Sequence, residues 1–89
     1  MAYSYIIYSK QLDRYYVGAT KDDLSQRVRR HNTKHKGYTG KASDWSLVHA
    51  EPWDSLELAL QREQEIKGWK SRKRIERLIN PIDGTTFTS

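Results

Sequence analysis

The 89-residue chain predicts an α+β fold, a three-stranded antiparallel sheet flanked by helices in the order β-β-α-β-α-α. Three observations carry this. Two β-branched and aromatic runs, YSYIIYS at 3–9 and RYYVGA at 14–19, are separated by a short polar connection and read as a hairpin. A third run, WSLVHAE at 45–51, alternates apolar and polar residues. The stretches after the second and third runs place apolar residues at helical spacing behind capping signals.

Each element has its own local cause. Gly18 stands at the end of the second strand, where a side chain can be excluded by a close neighbour. Thr20 to Asp23 has capping-box spacing, with Asp replacing the usual Glu, and opens a helix running from about 22 to 31 or 32. Residues 33–44 form a basic, polar loop. The third strand closes at Pro52. Asp54 and Glu57 repeat the capping-box spacing ahead of LELALQREQEIKGWK, a strong helix. Gly68 and Ser71 mark a kink or restart, Ser71 caps a short last helix holding Ile75, Leu78 and Ile79, and Pro81 ends it. Residues 1–80 are then one domain and 81–89 a flexible tail.

Composition narrows the function classes. The chain has no cysteine, which rules out disulfides and thiolate metal sites. Its first residues carry neither a basic region nor a long apolar run, and no stretch approaches a membrane span, so a soluble, cytoplasmic protein is expected. The net charge of +5 is unevenly spread. Residues 21–41 hold seven basic and two acidic residues, 67–77 hold six and one, and 44–57 carry four acids with no Lys or Arg. Two basic blocks around an acidic one suit a polyanion such as nucleic acid, and no protein partner can be inferred.

Charged residues occupy apolar faces. Leu24, Arg27, Val28 and His31 share one face of the first helix, so Arg27 and His31 point towards the body while Arg29 and Arg30 splay away. In the second helix Leu56, Ala59, Leu60, Glu63, Ile66 and Lys67 form the stripe, and Glu63 sits in its middle. An uncompensated carboxylate there costs several kcal/mol, so a cation, a metal or a pocket wall must adjoin it; a salt bridge to Arg27 is one possibility. Most tyrosine rings are packing. A phenol becomes a base only when a cation such as Arg27 stabilises the phenolate.

Read in order, Tyr3-Ser4-Tyr5-Ile6-Ile7, Tyr16-Val17-Gly18, Leu24-x-x-Arg27-x-x-x-His31-Asn32 and Arg62-Glu63-x-x-Ile66-Lys67-x-Trp69 resemble the GIY-YIG nuclease superfamily. The chain looks most like its small single-domain bacterial members, which are similar to the first incision domain of nucleotide-excision repair; the resemblance covers 3–79. It implies an endonuclease that hydrolyses a phosphodiester of DNA (or RNA) by water attack at one Mg²⁺ or Mn²⁺. It further implies that Tyr5 and Tyr16 position or deprotonate the water, that Arg27 stabilises the phosphate, that Glu63 binds the metal, and that His31 matches a histidine found in part of the family.

Three positions depart from the pattern. Tyr3-Ser4 replaces Gly-Ile. Ala19 stands where some members carry a lysine, leaving Lys21 and Lys67 as candidates for the missing cation. Asn80 lies too far along to match an asparagine that some members carry. Arg30, Lys34, Lys36 and Lys41 in the first basic block, and Lys67, Lys70, Arg72 and Lys73 in the second, are the expected nucleic-acid contacts. With no separate recognition domain in view, backbone or shape readout is expected. The alternative is a non-catalytic nucleic-acid-binding module that retains the fold.

Overall fold

The computed structural model describes residues 1–33 and 36–80. Lys34, Pro81 and the tail expected at 81–89 lie outside the described residues. Strands β1 (Ala2–Ser9) and β2 (Arg14–Thr20) are followed by α1 (Leu24–His31), a 3-10 turn (Tyr38–Lys41), β3 (Trp45–Trp53), α2 (Leu56–Trp69) and α3 (Arg72–Ile79). The sheet is antiparallel in the order β2-β1-β3, so the expected architecture is the observed one. No helix among the described residues is long and apolar enough to cross a membrane.

β1 reads as a nearly continuous apolar run because both of its faces are covered. Tyr5 and Ile7 pack on one face with Trp45, Tyr16, Leu24 and Val28, the side roofed by α1. Ile6 packs on the other with Val17, Ile66, Trp69, Ile75 and Leu78, the side roofed by α2 and α3. Tyr15 and Tyr16, adjacent in β2, therefore belong to opposite faces.

Several boundaries differ from expectation. β3 runs through Pro52 to Trp53 instead of stopping at 51. Among the described residues it is an edge strand paired only with β1, and the edge of a sheet tolerates a residue with no N–H to donate outward. Its pairing steps from Ile6–His49 to Ile7–Leu47, so Val48 is an inserted bulge residue and simple alternation breaks there. α1 starts at Leu24, capped by Asp23, whose carboxylate accepts from the amides of Ser25 (2.8 Å) and Gln26 (3.4 Å). Thr20 accepts from the Asp22 amide one step earlier. Ser55, not Asp54, caps α2 by accepting from the Leu58 amide at 3.2 Å. Of the expected α2 stripe, Ala59, Glu63 and Ile66 are buried, whereas Leu60 is 44% exposed. Gly68 stays helical, and the left-handed residue ending α2 is Lys70, at φ 50°. Ser71 caps α3 as expected, accepting from the Arg74 amide.

The turn between β1 and β2 is anchored to α3 by charge. Asp13, itself left-handed at φ 53°, accepts from the Tyr8 hydroxyl at 2.6 Å and from Arg72 Nη2 at 2.7 Å. Arg72 also donates to Glu76 at 3.0 Å. The Arg72 and Tyr8 bonds hold the Asp13 carboxyl down to about 2. On the α1 face, Tyr5 pairs with Gly18, and a Cβ at position 18 would lie 2.6 Å from both Cζ and Oη of the Tyr5 ring. The ring therefore lies across the strand, in the space a side chain would fill.

Two outcomes are expected. Asp13→Asn keeps a residue that tolerates the left-handed turn but removes the charge. A carboxyl depressed in the folded state contributes stability above its unfolded value near 3.8, and that contribution is lost as pH falls through about 2. Asp13→Asn should therefore lower the Tm at neutral pH, with the gap to the parent protein closing as pH falls towards about 2, as read by circular dichroism. Gly18 is not at positive φ, so Gly18→Ala carries no backbone strain and its effect is steric. Overpacking against a ring that cannot retreat should destabilise by about 1–3 kcal/mol in urea titration; unchanged or raised stability would show that Tyr5 has room to move.

Candidate active site

Tyr5 is only 1% exposed, yet its hydroxyl has two polar partners brought by α1. Arg27 Nε donates to Tyr5 Oη at 3.2 Å, and His31 Nε2 lies 2.7 Å from the same oxygen. Leu24 and Val28 pack into the core on this face, which turns Arg27 and His31 inwards as the helical spacing predicts. His31 is itself buried, with Nδ1 2.9 Å from Thr39 Oγ1.

Burial raises the Tyr5 phenol above its ordinary value, outweighing the opposing pull of Arg27. Arg27 acts on this phenol in the expected direction, lowering it, but burial is the larger effect. The hydroxyl accepts from Arg27 and shares a second hydrogen bond with His31 Nε2.

An open cleft of about 450 Å³ lies in front of this buried group, bounded by Tyr16, Arg27, Arg30, His31, Tyr38 and Thr39 among others. The Tyr16 ring centroid is 5.2 Å from that of His31. Tyr5 is not part of the cleft wall. Glu63 reaches this region from α2, which packs alongside the edge strand β2. Its Oε2 accepts from Lys67 Nζ at 2.6 Å, and the same ammonium sits 5.8 Å over the Tyr16 ring. The salt bridge considered between Arg27 and Glu63 is not formed, because Lys67 pairs with Glu63 and Arg27 with Tyr5. The Glu63 contact raises the Lys67 pKa. Of the two candidates for the missing cation, Lys67 lies at the cleft, whereas Lys21 lines a depression with Met1, Asp54 and Ser55.

The basic residues divide between surfaces. Arg30 lines the cleft, 4.0 Å from Asp22, and Lys41 lies over the Tyr38 ring at 5.2 Å. Lys36 and Lys70 are exposed. Lys73 and Asn80 line a different cleft with Tyr15 and Glu76, on the opposite face of the sheet. Arg72 is taken up by Asp13 and Glu76. Of the second block, Lys67 lies by the Tyr16 ring, whereas Arg72 and Lys73 lie by Tyr15 on the opposite face.

Two contributors had no sequence signal. Thr39, in the polar loop, holds His31, and its carbonyl accepts from Trp45 Nε1 at 2.8 Å. Asn32, read only as part of a motif, clamps the Trp45 backbone with both ends of its amide, accepting from its N–H at 2.7 Å and donating to its carbonyl at 2.9 Å. A side-chain amide that completes backbone pairing across 13 residues leaves no periodic trace.

Comparison with known proteins places the chain in a family. The model of the GIY-YIG catalytic domain matches residues 1–76. The chain is also similar to the solution NMR structure of a UPF0213 protein from Bacillus halodurans, at 32% identity and a TM-score of 0.56, over 100% of this chain and 98% of that one. No curated protein sequence matches. With the family model spanning both strands of the hairpin, the helix that carries Arg27 and His31 and the helix that carries Glu63, the chain belongs to the GIY-YIG catalytic domain family.

Proposed function

We propose that the chain is a metal-dependent endonuclease that hydrolyses one phosphodiester, with DNA as its substrate, inside the cell and in a repair setting. The observation that supports this best is the meeting of Tyr16, Arg27 and His31 in one cleft, with the Glu63–Lys67 pair at its Tyr16 side.

Hydrolysis requires a water held in line with the phosphorus, stabilisation of charge on the phosphate oxygens, and a proton for the departing oxygen. Tyr16, on the cleft wall, is the tyrosine that meets the water. Tyr5, buried behind it, is a positioning residue: it fixes the His31 ring through Nε2 and aims the Arg27 guanidinium through Nε. Arg27 then faces the phosphate. Lys67 supplies the cation that Ala19 does not.

Glu63 is the carboxylate proposed for Mg²⁺ or Mn²⁺. Among the described residues no group of three or more His, Cys, Asp or Glu could cage an ion. The donor set instead fits an ion that keeps most of its waters and takes one carboxylate together with substrate phosphate, which is the habit of Mg²⁺. Glu63 Oε1 makes no hydrogen bond among the described residues, so one oxygen of the carboxylate is uncommitted. When bound, the ion neutralises charge on the phosphate and the leaving oxygen.

A second reading, a binding module without catalysis, draws on the 9% exposure of Glu63 and its closure by Lys67. The two readings separate on a panel of duplex, flap, branched and single-stranded substrates with Mg²⁺ or Mn²⁺. The parent protein should nick at least one of them. Glu63→Ala should abolish nicking while leaving binding within a few-fold, and Arg27→Ala should slow nicking by roughly 10²–10³. Binding across the panel with no cleavage would leave the second reading in place.

A further inference from the structure

Glu63 is the only buried carboxylate among the described residues, and its pairing is slight for so costly a group. One oxygen, Oε2, accepts from Lys67 Nζ at 2.6 Å. Oε1 makes no hydrogen bond among the described residues, yet it still touches solvent; the unpartnered side-chain atom that is fully sealed there is Trp53 Nε1. The Glu63 side chain is 11% exposed and that of Lys67 43%, so the acid lies inside and its partner at the surface.

A half-buried carboxylate elsewhere in the chain is held quite differently. Glu51 accepts from Arg62 Nε at 2.9 Å on one oxygen and from Nη2 at 3.2 Å on the other, with His49 Nε2 2.9 Å away. A planar guanidinium fork secures both oxygens at once, whereas an ammonium on a flexible stem holds only one. Glu63, the deeper of the two, has the looser partner. Lys67 makes no other ion pair among the described residues. Its second neighbour is the Tyr16 ring, 5.8 Å from the ammonium and within reach of a cation–π contact. Lys67 can therefore leave Glu63 and keep a neighbour.

We infer that Lys67 is a placeholder at the metal carboxylate: it neutralises Glu63 while no divalent ion is bound and gives the carboxylate up when one arrives. The inference rests on the reading of Glu63 as the carboxylate for Mg²⁺ or Mn²⁺. A divalent ion and an ammonium on one poorly screened carboxylate repel each other, and the side chain with the surface-exposed stem is the one that moves. The fold then stands without metal, because its buried acid is never left bare. Metal affinity is set by competition: if Lys67 is seated about nine-tenths of the time, the ion meets a free carboxylate about one-tenth of the time and binds about tenfold more weakly. The released ammonium joins the Tyr16 side of the site only when the ion is in place.

The test uses the full chain and Mn²⁺ alone, without nucleic acid. Mn²⁺ broadens the amide signals nearest its site even when binding is weak, so the midpoint of broadening around Glu63 reads the affinity. Lys67→Met keeps an apolar stem and removes the charge; it should lower that midpoint by about tenfold. Lys67→Arg should not lower it, and Glu63→Gln should remove the selective broadening. Without metal, Lys67→Met should melt below the parent protein, and Mn²⁺ should raise its Tm by more than it raises that of the parent. Should Lys67→Met fail to fold, the parent supplies the reading: Mg²⁺ should shift the Lys67 Cε signal in step with the Glu63 carboxyl signal. Equal midpoints in parent and Lys67→Met, a Lys67 signal unmoved where Mg²⁺ saturates Glu63, or no broadening at Glu63 in either protein would overturn the placeholder. Nicking is scored separately. A parent that nicks while the midpoints agree keeps the nuclease reading and loses the placeholder; midpoints that differ as expected without nicking do the reverse.

Discussion

The phenol of Tyr5 reaches α1 only because position 18 has no side chain. β1 is the central strand, covered on both faces, so the Tyr5 backbone cannot adjust to a bulkier neighbour. The ring crosses β2 over Gly18 and delivers its hydroxyl to Arg27 and His31, two polar side chains on the inward face of a helix otherwise anchored by Leu24 and Val28. Each of these polar groups would be costly to bury alone, by about 1–3 kcal/mol for a hydroxyl left unpaired and more for a charge. Together they satisfy one another. The geometry of the cleft wall is in this sense set by the sheet, with the side chains of α1 held against it.

A second set of bonds closes the cleft from the other side. The chain between α1 and β3 has few apolar residues of its own to bury. It is fixed by Trp45, which enters the core beside Tyr5 and Ile7 while Asn32 clamps its backbone and Thr39 receives its indole N–H. Thr39 also holds His31, so the core tryptophan and the cleft histidine share a neighbour. The opposite face of the sheet handles charge differently. There Arg72 bridges Asp13 and Glu76, Arg62 pairs with Glu51 and Glu65, and Lys73 and Arg77 line the cleft beside Tyr15. The Tyr16 face has Arg27, Arg30 and Lys41 around open space.

Much of this was legible in the sequence, for reasons of period. Arg27 and His31 announced themselves by falling on the face set by Leu24 and Val28, and Glu63 by interrupting an apolar stripe. Gly18 at the end of a strand signalled close approach, though not which ring approached. What period cannot carry was missed. Leu60 fell on the stripe in a helical projection, but its exposure depends on where the sheet lies beneath α2. Pro52 looked like a stop because strand position, edge or centre, is a property of the sheet. The Val48 bulge and the choice of Ser55 over Asp54 as cap turn on a one-residue phase. Lys21 and Lys67 were equivalent as spacings; only the path of α2 along β2 separated them.

The pairing of Glu63 with Lys67 has a consequence for what the cleft can accept. A carboxylate of 9% exposure on the buried side of a helix must be compensated. Lys67 does so from one turn further along, and from there its ammonium also overlies Tyr16. That compensation comes from a side chain still partly exposed, whereas Tyr5 and His31 are buried and hydrogen-bonded to one another. Positive charge at this point is therefore required by the fold, but the identity of its carrier is not: a second cation could take the carboxylate and leave Lys67 to the cleft. A site organised in this way sets an exchangeable member beside a rigid, buried pair. That member is the one whose charge would be wanted at the phosphate once the carboxylate is otherwise engaged.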